Sequence, residues 1–256
     1  MLFILSVLIS LSTLVAAQKY PVLHNSSCVS GAHIIVARGS LEPPGPGILG
    51  AVAQQIMDSI SNSETVSLGY PAMYDPYKPS QTQGVRTLTR VIEQYADVCP
   101  RTKMILLGFS QVSYAEQDWM KTIFNSILNT HANGTIIQGA HIIADVMCGA
   151  SSAGFPATEP QSPEISNNIA AIVLLGDPST TVGQPFHAGS SQGDGIFPRQ
   201  RPNGCERVST KIISFCDAGD PFCEAGGHDL SVHMNYVTTY GSIAAGFSAA
   251  MFHRVG

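Results

Sequence analysis

Three residues that could together carry out nucleophilic acyl transfer occur in the order serine, aspartate, histidine. Ser110 stands two positions after Gly108, directly behind an apolar run over residues 103–108. A small residue two positions before a serine, at the end of a buried strand, is how a nucleophile elbow begins, and the tight turn holds Oγ clear of the sheet. Asp220 and His233 follow downstream. The pattern predicts that Ser110 attacks, that His233 accepts its proton and that Asp220 fixes the histidine tautomer.

Neighbouring residues compete for two of these roles. His228 is an alternative base, and Asp217 or Asp229 is an alternative acid. The residue types alone leave this choice open, because an isolated histidine is usually structural or exposed and a loop aspartate is usually solvated. Two cysteines flank Asp220, and a disulfide between them would close a loop too small to remove much chain entropy. Its value would be to hold the acid rigidly where a strand ends.

The elements that must position these residues alternate between buried strands and helices. Continuous apolar runs predict strands over residues 33–37, 65–68, 103–108, 169–175 and 211–215. Helical spacing predicts helices over residues 48–60, 84–98 and 242–252, separated by loops rich in Gly, Pro and Ser at 39–47, 149–166 and 184–204. Such alternation is typical of a parallel sheet covered on both faces. We therefore predict one α/β/α domain.

Composition excludes several classes of protein. Of the 256 residues, 44% are hydrophobic and 12% are charged, which supports a substantial apolar core and excludes a disordered chain. The net charge is −5 and there is no basic run, so we expect neither a nucleic-acid groove nor an anionic-membrane surface. No residue spacing suggests a metal site, and we expect no metal and no cofactor.

The beginning of the chain indicates its compartment. Residues 1–17 are apolar and uncharged, and the small residues Val15 and Ala17 precede Gln18 as in a signal-peptidase site. A membrane anchor is the alternative, but the run is short for a bilayer span. We expect residues 18–256 to form a single secreted, extracellular domain, monomeric and outside the membrane. Its six cysteines could form three disulfides there.

Several motifs together resemble the cutinase and acetylxylan esterase family of secreted serine esterases. They are spread in order along the chain: Cys28-Val29-Ser30-Gly31-Ala32, Ala37-Arg38-Gly39-Ser40, Cys99-Pro100 before the Ser110 strand, Gly176-Asp177-Pro178, Cys216 to Cys223 and His233 to Tyr236. The resemblance implies a compact α/β/α sandwich with a central, mainly parallel five-stranded sheet and no large lid. It also implies the pairs Cys28–Cys99 and Cys216–Cys223, which leaves Cys148 for Cys205.

The same resemblance implies roles for individual residues. Ser110 would be the nucleophile, Asp220 the acid and His233 the base. Ser40 would supply oxyanion-hole donors together with the backbone N–H of Gln111. The implied activity is that of a secreted serine carboxylic-ester hydrolase acting through an acyl-enzyme.

Three functions stay open within this frame. The stretches at 145–149 and 200–205 are closer to acetylxylan esterases, and residues 224–232 are mostly polar and small, which favours acetyl groups on hydrated xylan. A cutinase acting on cutin polyester is the alternative, because Leu230 and Val232 could form an apolar rim and the loop at 37–40 also matches cutinases. The third is a catalytically inactive secreted carbohydrate-binding or structural protein on the same scaffold. The expected partner is a plant cell-wall polysaccharide or polyester.

One segment departs from the family pattern. The pattern is G-x-S-Q-G followed by a helix and soon a cysteine, whereas in this chain Val112 follows Gln111 and Cys148 lies 38 residues beyond Ser110. Removing residues 112–138 leaves GFSQ joined to GAHIIADVMCG, with Gly139 where the glycine belongs and a helix over residues 139–147. If it is translated, the segment would displace the elbow helix and cost part of the oxyanion hole.

The segment has the features of a retained intron. Its 27 residues correspond to 81 nucleotides, Val-Ser at its start can be encoded by GTRAGT, and Gln at its end by CAG. Residues 132–133 can be encoded by the branch-point-like GCTAAC. The alternative is a genuine helical insertion, with Trp119, Ile123, Phe124, Ile127 and Leu128 along one helix face.

Overall fold

A computed structural model describes residues 28–73, 75–110 and 138–255. The predicted leader over residues 1–17, the predicted oxyanion residue Gln111 and the predicted insertion up to residue 137 lie outside the described residues. Only Gln138, the last residue of that insertion, is described.

Strands and helices alternate along the described chain, as the apolar patterns predict. The strands are β1 (Ala32–Ala37), β2 (Glu64–Ser67), β3 (Lys103–Phe109), β4 (Ile169–Leu175), β5 (His187–Ala188) and β6 (Ile212–Phe215). The α-helices are α1 (Gly50–Ser59), α2 (Tyr77–Val98), α3 (Gly139–Cys148), α4 (Pro163–Asn168), α5 (Leu230–Met234) and α6 (Tyr236–Val255), and 3-10 helices span Gly47–Leu49 and Pro202–Lys211.

The strands form one parallel sheet in the order β2-β1-β3-β4-β6-β5. This confirms the predicted α/β/α class and corrects the strand count from five to six. The additional strand β5 has only two residues and lies in the predicted loop at 184–204. Two residues carry no detectable period, so an edge strand of this length leaves no signal in the sequence.

Both faces of the sheet are buried, which explains why its strands are apolar throughout. Along β1, Ile34 and Val36 pack against one helical layer and Ile35 and Ala37 against the other. Successive side chains of a strand point to opposite faces, so each strand contributes to both cores. Helices α1 and α6 cover the first face, and α2 and α3 cover the second.

Two helices begin earlier than their apolar patterns predict. Helix α2 starts at Tyr77 rather than at residue 84, because its first turns bury polar side chains instead of apolar ones. Tyr77 hydrogen-bonds His141 at 2.7 Å, and Gln81 donates to Asp145 at 2.6 Å. Helix α6 similarly starts at Tyr236 rather than at residue 242.

Strand order places a crevice between the ends of β1 and β3. These strands are neighbours, with Ala37 opposite Gly108, but α1, which follows β1, covers one face, and α3, the next described helix after β3, covers the other. Ligands of open parallel sheets bind at such a switch point, outside the carboxyl ends of the strands. Of the described helices, none is long and apolar enough to cross a bilayer.

Candidate active site

Ser110 lies at the carboxyl end of β3, in the centre of the sheet. Its backbone N–H donates to the Leu175 carbonyl at 3.1 Å, so the pairing of β3 with β4 continues through the serine. Gly108 is required two residues earlier, because a Cβ there would lie 2.7 Å from the Gly139 carbonyl oxygen and 2.8 Å from Ala140 Cα. The strand therefore presents Ser110 directly against the start of α3.

Asp220 and His233 form a buried pair. His233 Nδ1 lies 2.7 Å from Asp220 Oδ2, and both side chains have no exposed surface. The other carboxylate oxygen accepts hydrogen bonds from the N–H groups of Phe222 at 2.7 Å and Cys223 at 3.1 Å. Burial alone would raise the pKa of Asp220, but His233 and these two amides outweigh it and hold that pKa below its usual value. The carboxylate thus stays ionised and fixes Nδ1 as a donor.

The remaining ring nitrogen of His233 points at residue 110. Nε2 contacts the main-chain carbonyl oxygen of Ser110. Asp220, His233 and Ser110 therefore form one chain of contacts. His233 and Ser110 are 123 residues apart in the sequence.

The imidazole of His233 is held by a close-fitting cage. Its ring centroid lies 4.7 Å from that of Phe222, 5.8 Å from Tyr236 and 5.9 Å from Phe109. The open side is closed by the backbone of Gly176, where a Cβ would approach His233 Cε1 to 2.6 Å. Gly176 also has a φ of +63°, so both space and backbone conformation require glycine.

The loop that carries Asp220 is fastened at both ends. Its cysteines at 216 and 223 form a disulfide, seven residues apart. The hydroxyl of Tyr236 accepts a hydrogen bond from the Asp217 N–H at 2.7 Å, and Tyr240 donates to the Asp217 carboxylate at 2.9 Å. Burial, and next the charge of Asp220, raise the pKa of Tyr236, which keeps this hydroxyl neutral.

The competing acids and base have other positions. Asp217 anchors the loop through Tyr240, and Asp229 caps α5 by accepting the N–H of Ser231 at 2.9 Å. His228 is exposed. The structure therefore brings only Asp220, of the three aspartates, against His233.

Ser40 lies at the same edge as Ser110, three residues beyond the end of β1, and is fully buried. Its loop is organised by Glu42, whose carboxylate accepts the N–H groups of Gly39 at 2.6 Å and Ile48 at 2.8 Å. Arg38 ties the same loop down by donating to the carbonyls of Glu42 and Tyr70. The sequence gives no signal for the role of Glu42, since a glutamate in a Pro/Gly-rich loop is ordinarily solvated.

The structure contains three disulfides, in the pairs that the resemblance implies: Cys28–Cys99, Cys148–Cys205 and Cys216–Cys223. All six cysteines of the chain are therefore bridged, and none is a free thiol. Across residues 28–73, 75–110 and 138–255, no group of three or more His, Cys, Asp or Glu side chains could hold a metal ion.

Comparison with known proteins decides the family. The family model described as Cutinase matches residues 27–252. The chain belongs to the cutinase family. Like its relatives, this cutinase-family protein is a carboxylic ester hydrolase.

Individual relatives span nearly the whole chain. Acetylxylan esterase 2 of Talaromyces purpureogenus is 27% identical over 88% of this chain and 88% of its own. Cutinase 11 of Verticillium dahliae is 25% identical over 98% of this chain and 78% of its own. Among solved structures, an acetylxylan esterase superposes with a TM-score of 0.73 at 25% identity, covering 88% of this chain and all of that one.

Proposed function

We propose that this cutinase-family esterase is secreted and removes acetyl groups from xylan through a Ser-His-Asp acyl-enzyme. The observation that carries the mechanism is the buried contact between Asp220 and His233, with Nε2 directed at residue 110. The extracellular location is supported by the three disulfides, which persist in oxidising compartments. The similarity to acetylxylan esterases supports the substrate.

The reaction follows from the roles of the three side chains. Ser110 Oγ attacks the acetyl carbonyl carbon while His233 Nε2 takes the hydroxyl proton. Asp220 stabilises the resulting imidazolium, and Ser40 with a backbone N–H at the elbow stabilises the oxyanion. The tetrahedral intermediate then expels the sugar alkoxide, which receives the proton from His233. Water, deprotonated by His233, attacks the acyl-enzyme and releases acetate, and Ser110 recovers its proton.

The surroundings of His233 favour a hydrated substrate. Exposed residues between the acid and the base are small or polar, namely Ala225, Gly226, His228, Asp229 and Ser231. Leu230, which could have joined an apolar rim, packs partly buried against Phe222. A long acyl chain would therefore find little apolar surface on this side.

A cutinase activity is the second candidate, and the Ser40 side of the site favours it. Leu41 and Met73 are among the large hydrophobic side chains with substantial exposure, at 38% and 46%. Their segments are joined by the hydrogen bond from the Leu41 N–H to the Ala72 carbonyl at 2.8 Å. This exposed apolar pair lies next to Ser40 and could contact the aliphatic part of a polyester.

Substrate profiling separates the two candidates. Acetate release from acetylated xylan should exceed fatty-acid release from cutin, and kcat/KM on p-nitrophenyl esters should fall from acetate to longer acyl chains. Ser110→Ala should abolish both turnover and labelling by a serine-directed phosphonate. A preference for long chains would support the cutinase instead. Full activity in Ser110→Ala would refute the mechanism for both candidates.

A further inference from the structure

The start of α3 lies at the active-site edge of the sheet, although 27 residues of sequence lie between residue 111 and Gly139. A Cβ on Gly139 would lie 2.1 Å from the carbonyl oxygen of Ala37 and 2.6 Å from that of Phe109. The Cα of Gly139 itself is thus within about 4 Å of the Phe109 oxygen, a distance that a link of two residues easily spans. Ser110 and the start of α3 therefore lie side by side at the same edge of the sheet.

Gln138 is firmly fixed at this edge of the sheet. It is fully buried, and its Oε1 accepts a hydrogen bond from Ser80 Oγ at 2.8 Å. Its Nε2 donates to the main-chain carbonyl of Met73. Its own carbonyl accepts the N–H of Ile142 at 2.9 Å and so forms the first turn of α3. Gln138 therefore occupies the position that directly precedes the helix beside Ser110.

Glutamine occurs both directly after Ser110, at position 111, and directly before Gly139, at position 138. Deleting residues 112–138 or residues 111–137 gives the same chain, in which Ser110, one glutamine and Gly139 are consecutive. The contacts that hold Gln138 to Ser80 and Met73 remain available to that glutamine. All ten residues of α3 are already buried in their final place, so the shortened chain needs no new packing.

We propose that the shortened chain is the catalytically competent form of this esterase, with the glutamine held at position 138 directly between Ser110 and Gly139. The inference rests on the function proposed above. In a continuous elbow the Ser110 carbonyl belongs to the turn that starts α3, so Nε2 of His233 no longer contacts that oxygen and can face Oγ instead. The amide end of α3 then faces the oxygen where negative charge develops.

Kinetics of three chains tests this inference. The full chain, the chain without residues 112–138 and a chain with those residues replaced by a Gly/Ser linker of equal length are compared on p-nitrophenyl acetate. The shortened chain should exceed the full chain in kcat/KM by ~10²–10³-fold, the usual value of an oxyanion donor. The linker chain should be as slow as the full chain, because the defect comes from separating Ser110 from α3.

The outcomes distinguish this inference from the proposed function. A shortened chain that fails to fold, or that folds but is no faster than the full chain, would overturn the inference. A linker chain as fast as the shortened chain would also overturn it. If all three chains fold but none is labelled by the phosphonate or hydrolyses the ester, the proposed function itself fails. Sequencing of transcripts adds an independent readout: the shortened coding sequence should predominate.

Discussion

At the scale of single residues, the proposed catalytic acid is distinguished by its hydrogen-bond partners rather than by its position in the sequence. The Asp220 carboxylate contacts Nδ1 of His233 and accepts hydrogen bonds from two backbone N–H groups, whereas Asp229 is an exposed helix cap. Asp220→Asn would place an amide against Nδ1 and favour the wrong tautomer, so kcat on p-nitrophenyl acetate should fall by ~10⁴-fold. Asp229→Asn keeps its capping ability and should change kcat less than twofold. Equal losses in the two variants would contradict the assignment of Asp220.

Gly176 gives a second prediction at this scale, with a matched control. Gly176→Ala places a methyl group 2.6 Å from His233 Cε1 and must displace the ring. Gly183 also has a positive φ, of +89°, but a Cβ there meets nothing within 4 Å. Both alanine variants carry the backbone strain, and only Gly176→Ala should lower kcat, by ~10²-fold for a displacement near 1 Å. Steady-state kinetics and melting temperatures of both variants measure the difference, and a similar kcat for both would argue against the cage.

At the scale of elements, two of the disulfides have different expected effects: one mainly stabilises the fold, and the other mainly positions the loop that carries Asp220. Cys28 and Cys99 are 71 residues apart, while Cys216 and Cys223 are seven apart. Chain entropy therefore predicts about 4 kcal/mol of stabilisation from the first bridge and less from the second, whose loop is ten times shorter. The second also fixes Cys223, whose N–H donates to Asp220 at 3.1 Å.

Replacing each pair by serines tests this difference. The Cys28→Ser/Cys99→Ser variant should have the larger decrease in Tm, while its kcat stays within about twofold of that of the unmodified protein. The Cys216→Ser/Cys223→Ser variant should have the smaller decrease in Tm but the larger decrease in kcat, because the loop that carries Asp220 is no longer fixed. Thermal denaturation and ester hydrolysis at a temperature where both are folded provide the measurement. The reverse pattern would show that the short bridge acts only on stability.

At the scale of the whole molecule, a buried charge cluster joins helices α2 and α3 of one layer to the distant loop that carries Arg199. Asp145 on α3 pairs with Arg199 at 2.8 Å and with His141 at 3.2 Å, and Gln81 of α2 donates to it at 2.6 Å. Burial alone would raise the pKa of Asp145, but its interactions with His141 and Arg199 lower that pKa to about 2. The cluster therefore makes folding depend on an ionised carboxylate.

Acid should weaken the fold over a defined range. Because the folded-state pKa of Asp145 is below the unfolded value of 3.8, its stabilisation is complete above about pH 4 and is lost as the pH falls through 2. The loss is on the order of 2 kcal/mol. Urea unfolding between pH 6 and 2 should show a shallower decline for Asp145→Asn/Arg199→Gln, which removes both charges together. Parallel curves for the two proteins would contradict this role.

Much of the architecture was predictable because the sheet is buried on both faces. The run of seven consecutive apolar residues predicts strand β4 with its observed bounds, since such a run fits few other structures. The serine and histidine positions follow strand and motif signals in the same way. The roles of the buried polar residues Glu42, Tyr77 and Asp145 are not predictable in this way. They depend on contacts that form only in the folded chain. Asp145 and Arg199, for example, are 54 residues apart, and no local pattern records such a pair.

The polarity of the sheet also determines how this enzyme could be attached to a surface. The Cys28–Cys99 bridge lies where β1 and β3 begin, whereas the proposed catalytic residues follow the carboxyl ends of the strands. A six-residue parallel strand measures about 20 Å. Immobilisation through a tether near residue 28 should therefore leave the hydrolytic side facing bulk solvent and an insoluble fibre, whereas coupling through exposed residues near 228 should block it.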